Sequence, residues 1–220
     1  MYILYWSPGS ASMAPHVLLE ELGVRYELRR VDLEKPRDPA YLKLHPWGRV
    51  PTLLADGAPI YESAAICMHL ADLHSEQGFA PAVGSPERAQ YYQWLLFLST
   101  TLQTAFMRYY RPSRASEEPG HRDAVKEKAL RDVAEIWARL DGLLEGKTYL
   151  AGDRFTAADI YFHMLYTWDA DMDALGRRHP NLAALSSASM PGPRSPGSRN
   201  STCEPRPTLA APPAATYFSR

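Results

Sequence analysis

Val50-Pro51, with Glu62-Ser63 a short distance downstream, constrains this chain more than any other feature. A proline after an extended hydrophobic residue, between the loop His45-Pro46-Trp47-Gly48-Arg49 and the short strand Thr52-Leu53-Leu54, is a natural position for a cis peptide bond. Such a bond turns the Val50 N–H and C=O outward, where an extended peptide pairs with them as an added strand. Ile60-Tyr61 reads as a second strand and Glu62-Ser63 as the start of a helix from Ala64 to Leu73. Free N–H groups and a hydroxyl then meet a carboxylate at one point. The N–H groups suit a ligand carboxylate and Glu62 suits its ammonium, so the pattern describes a receptor for the backbone of a small zwitterionic peptide.

Upstream, Tyr2 to Trp6 is a short apolar strand, Met13 to Leu22 has helical spacing and stops at Gly23, and Tyr26 to Val31 alternates as a strand. Strand, helix and strand form a unit expected to be parallel and right-handed. Two short strands joined at Asp56-Gly57 and a closing helix complete a βαβ-ββα order, which is thioredoxin-like. Gln77 to Ser85 holds Gly, Pro and Ser without periodicity and reads as a linker. Beyond it, Pro86 to about Tyr110, His121 to Leu144 and Thr156 to about Leu175 read as helices. In the second of these, Ala129, Val133, Ile136, Trp137, Leu140 and Leu144 recur at three- and four-residue intervals, the stripe of a helix facing a core. Thr156-Ala157-Ala158-Asp159 has the spacing of a capping box, whose role is folding. The expected architecture is an α/β thioredoxin-like domain over residues 1–76, a linker over 77–85 and an all-α domain over 86–185.

His179-Pro180-Asn181-Leu182 looks like the opening of one more helix, but the pattern fails after Leu185. Ser186 to Arg220 holds seven of the nineteen prolines, four arginines, one acid and neither Val nor Ile. Such a tail is expected to remain disordered, because it has too little apolar surface to offset the entropy of ordering it.

The 220 residues suffice for one large or two small domains with a proper core. A net charge of -1 and no basic stripe interleaved with aromatics argue against nucleic acid as a partner. The longest apolar stretch, near Trp94 to Leu98, is too short to span a bilayer, and the N-terminus lacks the basic and apolar regions of a signal peptide. The expectation is a cytoplasmic protein away from membranes. Cys67 and Cys203 have no metal spacing and no CxxC, so neither a metal site nor a disulfide framework is expected. Cys67, beside Ile66 and Leu70, is expected to be buried.

VPTL, the turn at Asp56-Gly57 and IYESAAI together resemble the glutathione-site pattern of the glutathione S-transferase family, and the similarity runs from Met1 to about Leu185. The resemblance implies the glutathione transferase architecture, with glutathione as co-substrate, a small hydrophobic electrophile as second substrate, and a homodimer. It assigns Val50, Pro51, Glu62 and Ser63 to glutathione, with Arg49 and, more weakly, Lys35 and His45 meeting its glycine carboxylate. The family continues with a helix where the Pro-rich tail begins, so either a shifted reading frame near Leu185 or a genuine extension accounts for residues 186–220.

Glutathione chemistry needs a thiolate at neutral pH, although a free thiol has a pKa near ~8.5. The segment from Tyr5 to His16 joins the first strand to the first helix, where a helix N-terminus and a hydroxyl both favour the anion. With Ser12 as N-cap, Pro15 falls at the third helical position, where its missing N–H has no partner to lose. The segment is most similar to the bacterial beta class, whose usual cysteine is replaced here by Ala11, which argues against mixed-disulfide chemistry. Ser12 stands where theta-type members carry a catalytic serine, and Tyr5-Trp6 resembles the tyrosine site of mu-type members. The candidates are therefore Ser12, then Ser10, then Tyr5, with a plain helix cap as the alternative role of Ser12. Gln103, Phe106, Met107, Tyr109 and Tyr110 end the first long helix of the second domain, which in the family flanks the electrophile. Gln103 stands where beta-class members commonly have a histidine. A glutathione-dependent isomerase or dehalogenase and a weakly active binding protein of the same fold are the competing functions.

Overall fold

A computed structural model describes residues 1–189. Four strands form one mixed sheet in the order β2-β1-β3-β4: β1 (Tyr2–Trp6), β2 (Tyr26–Arg30), β3 (Thr52–Ala55) and β4 (Ala58–Tyr61). β1 runs parallel to β2 and antiparallel to β3, which pairs antiparallel with β4. Between β1 and β2 lies α1 (Met13–Leu22), closed by Gly23 at φ 66, and after β4 comes α3 (Ser63–Leu73). The thioredoxin-like order expected from the sequence is thus present.

One element was not anticipated: α2 (Pro39–Leu44), six residues between β2 and β3. Its Asp38 side chain accepts from the Ala40 N–H and Pro39 begins the first turn, a good start for so short a helix. Arg37 holds the neighbouring loop by donating to the carbonyls of Gly48, Asp32, Leu33 and Lys35. Gly48 is required there. Its φ is 58, and a Cβ on it would lie 2.7 Å from Arg37 Cγ.

The helical layer contains α4 (Pro86–Phe97), α5 (Gln103–Tyr110), α6 (Arg122–Leu143), α7 (Ala157–Tyr166), α8 (Met172–Arg178) and α9 (Pro180–Ala188). α4 and α5 are one continuous run interrupted by a π-helical turn, Leu98–Leu102, in which the Gln103 N–H donates to the Leu98 carbonyl. Ser99 and Thr100 both give their hydroxyls to the Leu96 carbonyl, the competition with the backbone that loosens a helix at this point. The single helix expected over Thr156 to Leu175 is in fact two. It breaks after Tyr166, where the Trp168 carbonyl accepts from Tyr110, and Asp171 caps a new start by accepting from Ala174 N–H.

The core is continuous across both layers. α1 lies against α3 and α7, and Leu4, Leu18, Leu19, Ile66, Cys67 and Leu70 are fully buried with Tyr91 and Phe162. Buried Phe79 fastens the segment after α3, since its carbonyl accepts from Ala157 N–H at 2.9 Å. Arg88 adds an ion pair to Asp72 at 2.5 Å, joining α4 to the end of α3.

The tail expectation needs one correction. The chain does not lose its order at Ser186: α9 continues to Ala188, Ser186 and Ser189 are buried, and Ser186 Oγ meets His163 Nδ1 at 2.9 Å. Small serines fit against α7 where large apolar residues were looked for. The expectation for residues 190–220 lies outside the described residues.

Candidate functional site

The Val50-Pro51 peptide is cis, and β3 begins only at Thr52. Among the described residues the Val50 N–H and C=O make no hydrogen bond. Tyr41, from α2, fixes the approach: its hydroxyl donates to the Arg49 carbonyl at 2.5 Å and lies 2.9 Å from Thr52 Oγ1.

Glu62 connects β4 to α3 with φ 73 and ψ 110, a left-handed conformation that is uncommon for a residue with a Cβ. Strain of this kind concentrates at functional sites. Glu62 itself is exposed and makes no cap to α3, so the first N–H groups of the helix lack a side-chain acceptor from it. Ser63 is buried and donates its hydroxyl to the Ala11 carbonyl at 2.6 Å. That bond ties the start of α3 to the loop leading into α1. Sequence reasoning did not foresee it, because it joins residues remote in the chain.

In the β1–α1 loop the two serine hydroxyls are knotted on Ser7. Ser10 Oγ donates to the Ser7 carbonyl at 2.7 Å, Ser12 Oγ lies 3.1 Å from that carbonyl, and the two hydroxyls are 2.6 Å apart. Ser12 Oγ also accepts from Ser7 N–H, and Ser10 Oγ from Ser12 N–H. Both hydroxyl protons therefore already have acceptors inside the loop. Ser12 occupies the N-cap position of α1 with helical angles and no side-chain cap bond, and it is 2% exposed, whereas Ser10 is half-buried. Tyr5 is directed elsewhere: its hydroxyl accepts from Arg29 Nη1 at 3.2 Å and its ring leans on Tyr41. His16 lies tilted beside Trp6 and meets the Tyr26 hydroxyl at 3.0 Å, and burial holds its pKa below the usual value against the nearby charge of Glu20.

Of the residues expected at the glycine end, Arg49 is exposed beside Val50, with no side-chain partner among the described residues. Lys35 is exposed and pairs with Asp32 at 3.3 Å. His45 does not reach solvent. It is buried under Tyr61, Tyr41 and Trp47, and burial pushes its pKa down.

Across the cleft, Gln103 Oε1 accepts from the hydroxyl of Tyr161, which is buried in α7 beside Ser63 and Cys67. The carbonyl end of the Gln103 amide is thereby held, and its NH2 end is the one left to turn. Tyr161 was missed in the sequence, where it is one aromatic in an apolar helical run. Phe106 packs inward among Trp137, Trp168 and Tyr110 and is 4% exposed, which makes it core. Met107, Tyr109 and Tyr110 are half-buried, and the Tyr110 hydroxyl is taken by the Trp168 carbonyl. Cys67 is fully buried, and that burial pushes its thiol pKa up. Among the described residues no group of acids, histidines and cysteines is arranged to hold a metal ion, and no helix is long and apolar enough to cross a membrane.

A four-stranded thioredoxin-like sheet with a cis-proline before β3, joined to a helical layer, defines the fold class. Residues 1–72 match the family model described as Glutathione S-transferase, N-terminal domain, and residues 97–190 match Glutathione S-transferase, C-terminal domain. The chain is 33% identical over 169 residues to glutathione S-transferase GstA of Escherichia coli O157:H7, covering 75% of this chain and 81% of that protein. Its structure is similar to that of a sphingomonad glutathione S-transferase complexed with glutathione, at 33% identity and a TM-score of 0.74 over 84% of this chain and 90% of the other. It is also similar to a bacterial beta class glutathione S-transferase of Sphingomonas chungbukensis, at 31% identity and a TM-score of 0.73, again over 84% and 90%. The chain belongs to the glutathione S-transferase family, a family of enzymes.

Proposed function

We propose that this enzyme binds glutathione in the cleft between Val50 and the start of α3 and transfers its thiolate to a hydrophobic electrophile. The observation that carries the reading is the Ser63–Ala11 hydrogen bond, which joins the open start of α3 to the hydroxyl-bearing loop before α1. Val50 pairs with the peptide backbone, the α3 N–H groups, that of Ser63 among them, take the glutamyl carboxylate while the Ser63 hydroxyl stays on Ala11, and Glu62 takes the ammonium. Pro51 sets the turn of the strand, and Arg49, with Lys35 beyond it, meets the glycine carboxylate.

The sulfur then lies toward the start of α1. Ser12 and Ser10 are the hydroxyl candidates, with Tyr5 third because its hydroxyl is turned to Arg29. Each serine proton already has an acceptor, so donation to sulfur requires one hydroxyl to leave Ser7, and half-buried Ser10 is freer to do so than Ser12. The helix start contributes whichever hydroxyl turns. Gln103, Met107 and Tyr110 line the electrophile side, while Phe106 supports it from the core. A carbon–sulfur bond forms as the leaving group departs with its electron pair, and the thiol proton goes to solvent; proximity and the lowered thiol pKa supply the rate. A homodimer in the cytoplasm completes the reading.

Calorimetric titration with glutathione, followed by conjugation of a chlorodinitrobenzene, tests it. Binding with turnover is expected, and absence of binding overturns it. Ultraviolet titration of the bound thiolate in Ser10→Ala, Ser12→Ala and Tyr5→Phe then assigns the donor. A titration unaltered in all three leaves the helix start as the source.

A further inference from the structure

His45 joins two halves of the glutathione site proposed above, the reading on which this inference rests. Its backbone ends α2, because its N–H donates to the Tyr41 carbonyl at 2.9 Å, and opens the next turn, because its carbonyl accepts from Gly48 N–H at 2.8 Å. That turn delivers Arg49 and Val50. The His45 side chain packs among three rings from three parts of the chain. Tyr61 of β4 lies 4.9 Å away and tilted by 35°, Trp47 stands edge-on at 6.1 Å, and Tyr41 of α2 lies at 6.4 Å. Trp47 also meets Tyr61 edge-on, at 5.7 Å.

Tyr61 comes directly before Glu62 and stands opposite Thr52 in the sheet, while Val50 lies just before the cis-proline that precedes Thr52. Val50 and Glu62 therefore sit at the same end of the β3–β4 ladder, and the His45 ring ties the turn before one to the residue before the other. The ring is buried, and its Nδ1 has no hydrogen-bond partner. A bare lone pair is tolerated in such a place, whereas an unpaired N–H is costly, so the neutral ring carries its proton on Nε2. Among the described residues, the charged and titratable groups around it are Tyr41 from α2, Arg49 from the turn, and Tyr61 and Glu62 from the end of β4. Burial holds the His45 pKa below its ordinary value, outweighing the charge of Glu62 and the residue's own carbonyl, and Arg49 adds to the lowering.

We infer that His45 is a positioning residue for glutathione: as a neutral ring it sets the Val50 turn against Tyr61 and Glu62, and the site loosens when the ring takes a proton. It acts through its neighbours and does not meet the ligand. A proton added at Nδ1 places a cation and an unpaired donor among three rings, and swinging the imidazole out to water relieves both but gives up the packing on Tyr61. Affinity for glutathione then falls as pH drops below ~6.5.

Calorimetric titration of the intact chain with glutathione between pH ~7.5 and ~5 tests this. At the upper end, His45→Ala is expected to weaken binding on the order of tenfold, and His45→Phe, which restores a ring, by less than about threefold. Towards the lower end, the wild-type protein is expected to lose on the order of tenfold in affinity, while His45→Phe loses only what Glu62 and glutathione themselves titrate. Undiminished affinity in His45→Ala overturns the inference, and so does a pH profile that His45→Phe shares with the wild type. Where a variant does not fold, nitrogen NMR of the wild-type ring, assigned through its contact with Tyr61, decides. A neutral ring protonated on Nε2 is expected, and a ring charged at neutral pH or protonated on Nδ1 overturns the inference. Absence of glutathione binding to the wild-type protein at neutral pH is a different result and removes the glutathione reading together with this one.

Discussion

The starts of α3 and α7 look alike in sequence, Glu62-Ser63-Ala64-Ala65 against Thr156-Ala157-Ala158-Asp159, and are built in opposite ways. At α7 the helix start is closed. Thr156 Oγ1 accepts from Ala158 N–H, while the Asp159 carboxylate accepts from the N–H groups of Leu150 and Thr156 and from the Thr156 hydroxyl. Both residues are 0–1% exposed. At α3 the start is open: Glu62 is left-handed and exposed, no side chain caps the helix, and the Ser63 hydroxyl is given to another loop. α2, α4 and α8 are capped by their own Asp38, Ser85 and Asp171, and α9 borrows Asp141 from α6. α1, α3 and α6 lack such caps, and α5 continues from the π-helical turn. Unsatisfied N–H groups cost stability, and at α3 the open start lies where the function proposed above puts a ligand carboxylate.

The contrast breaks most readily at α7. Asp159→Ala strands two buried N–H groups and a hydroxyl, and a destabilisation of ~3–5 kcal/mol is expected in denaturant melts. The same protein, where folded, keeps its glutathione affinity.

The titration of Asp159 sharpens the difference further. Burial pushes this carboxyl up to about 6, against the hydrogen bonds that favour its charged form. Because the folded-state pKa lies above the unfolded value, the native state holds its proton more tightly. The stabilising contribution is complete below the ordinary carboxyl value of 3.8, declines as pH rises towards 6 and levels off beyond it. Between pH ~4 and ~7, the wild-type advantage over Asp159→Ala is expected to shrink by ~2–3 kcal/mol, from 1.36 kcal/mol for each pKa unit. Guanidinium melts across this range check it; an advantage that grows with pH contradicts the closed, desolvated picture.

At α3 the expectation reverses. Glu62→Ala leaves the melting temperature within a degree or so, since an exposed side chain without fold contacts is removed, but weakens glutathione by ~1.5–3 kcal/mol. Calorimetry on the folded variant measures it, and an undiminished affinity would put the ammonium elsewhere. The smallest effect is expected at α9. Ser186→Ala removes the hydrogen bond to His163 and costs ~1 kcal/mol in the same melts. No change there would mean that the last turn of α9 is held by packing alone.

Legibility followed the range of the interaction. The strands, Gly23 after α1, the core stripe of α6 and the capping box of α7 are local patterns, and each was readable. α2 was missed because six residues hold too little periodicity, though Asp38-Pro39 was a usable start signal. The break after Tyr166 depends on Asp171 capping a new helix and on Tyr110 reaching Trp168 from another helix, and only the Asp is visible locally. At the site, Val50-Pro51 and Glu62-Ser63 were readable as a motif, whereas the burial of His45 and the inward packing of Phe106 come from rings supplied by distant elements.

Sequence alone determined the alternation of elements, the strand with its cis-proline and the acid-hydroxyl pair at the start of α3, because these depend on backbone preferences and spacing within a few residues. Tertiary structure decided what each polar group is free to do. Hydrogen bonds and charges act through space, so only the folded chain could give Ser63 to Ala11, knot Ser10 and Ser12 on Ser7, and set Tyr161 against Gln103.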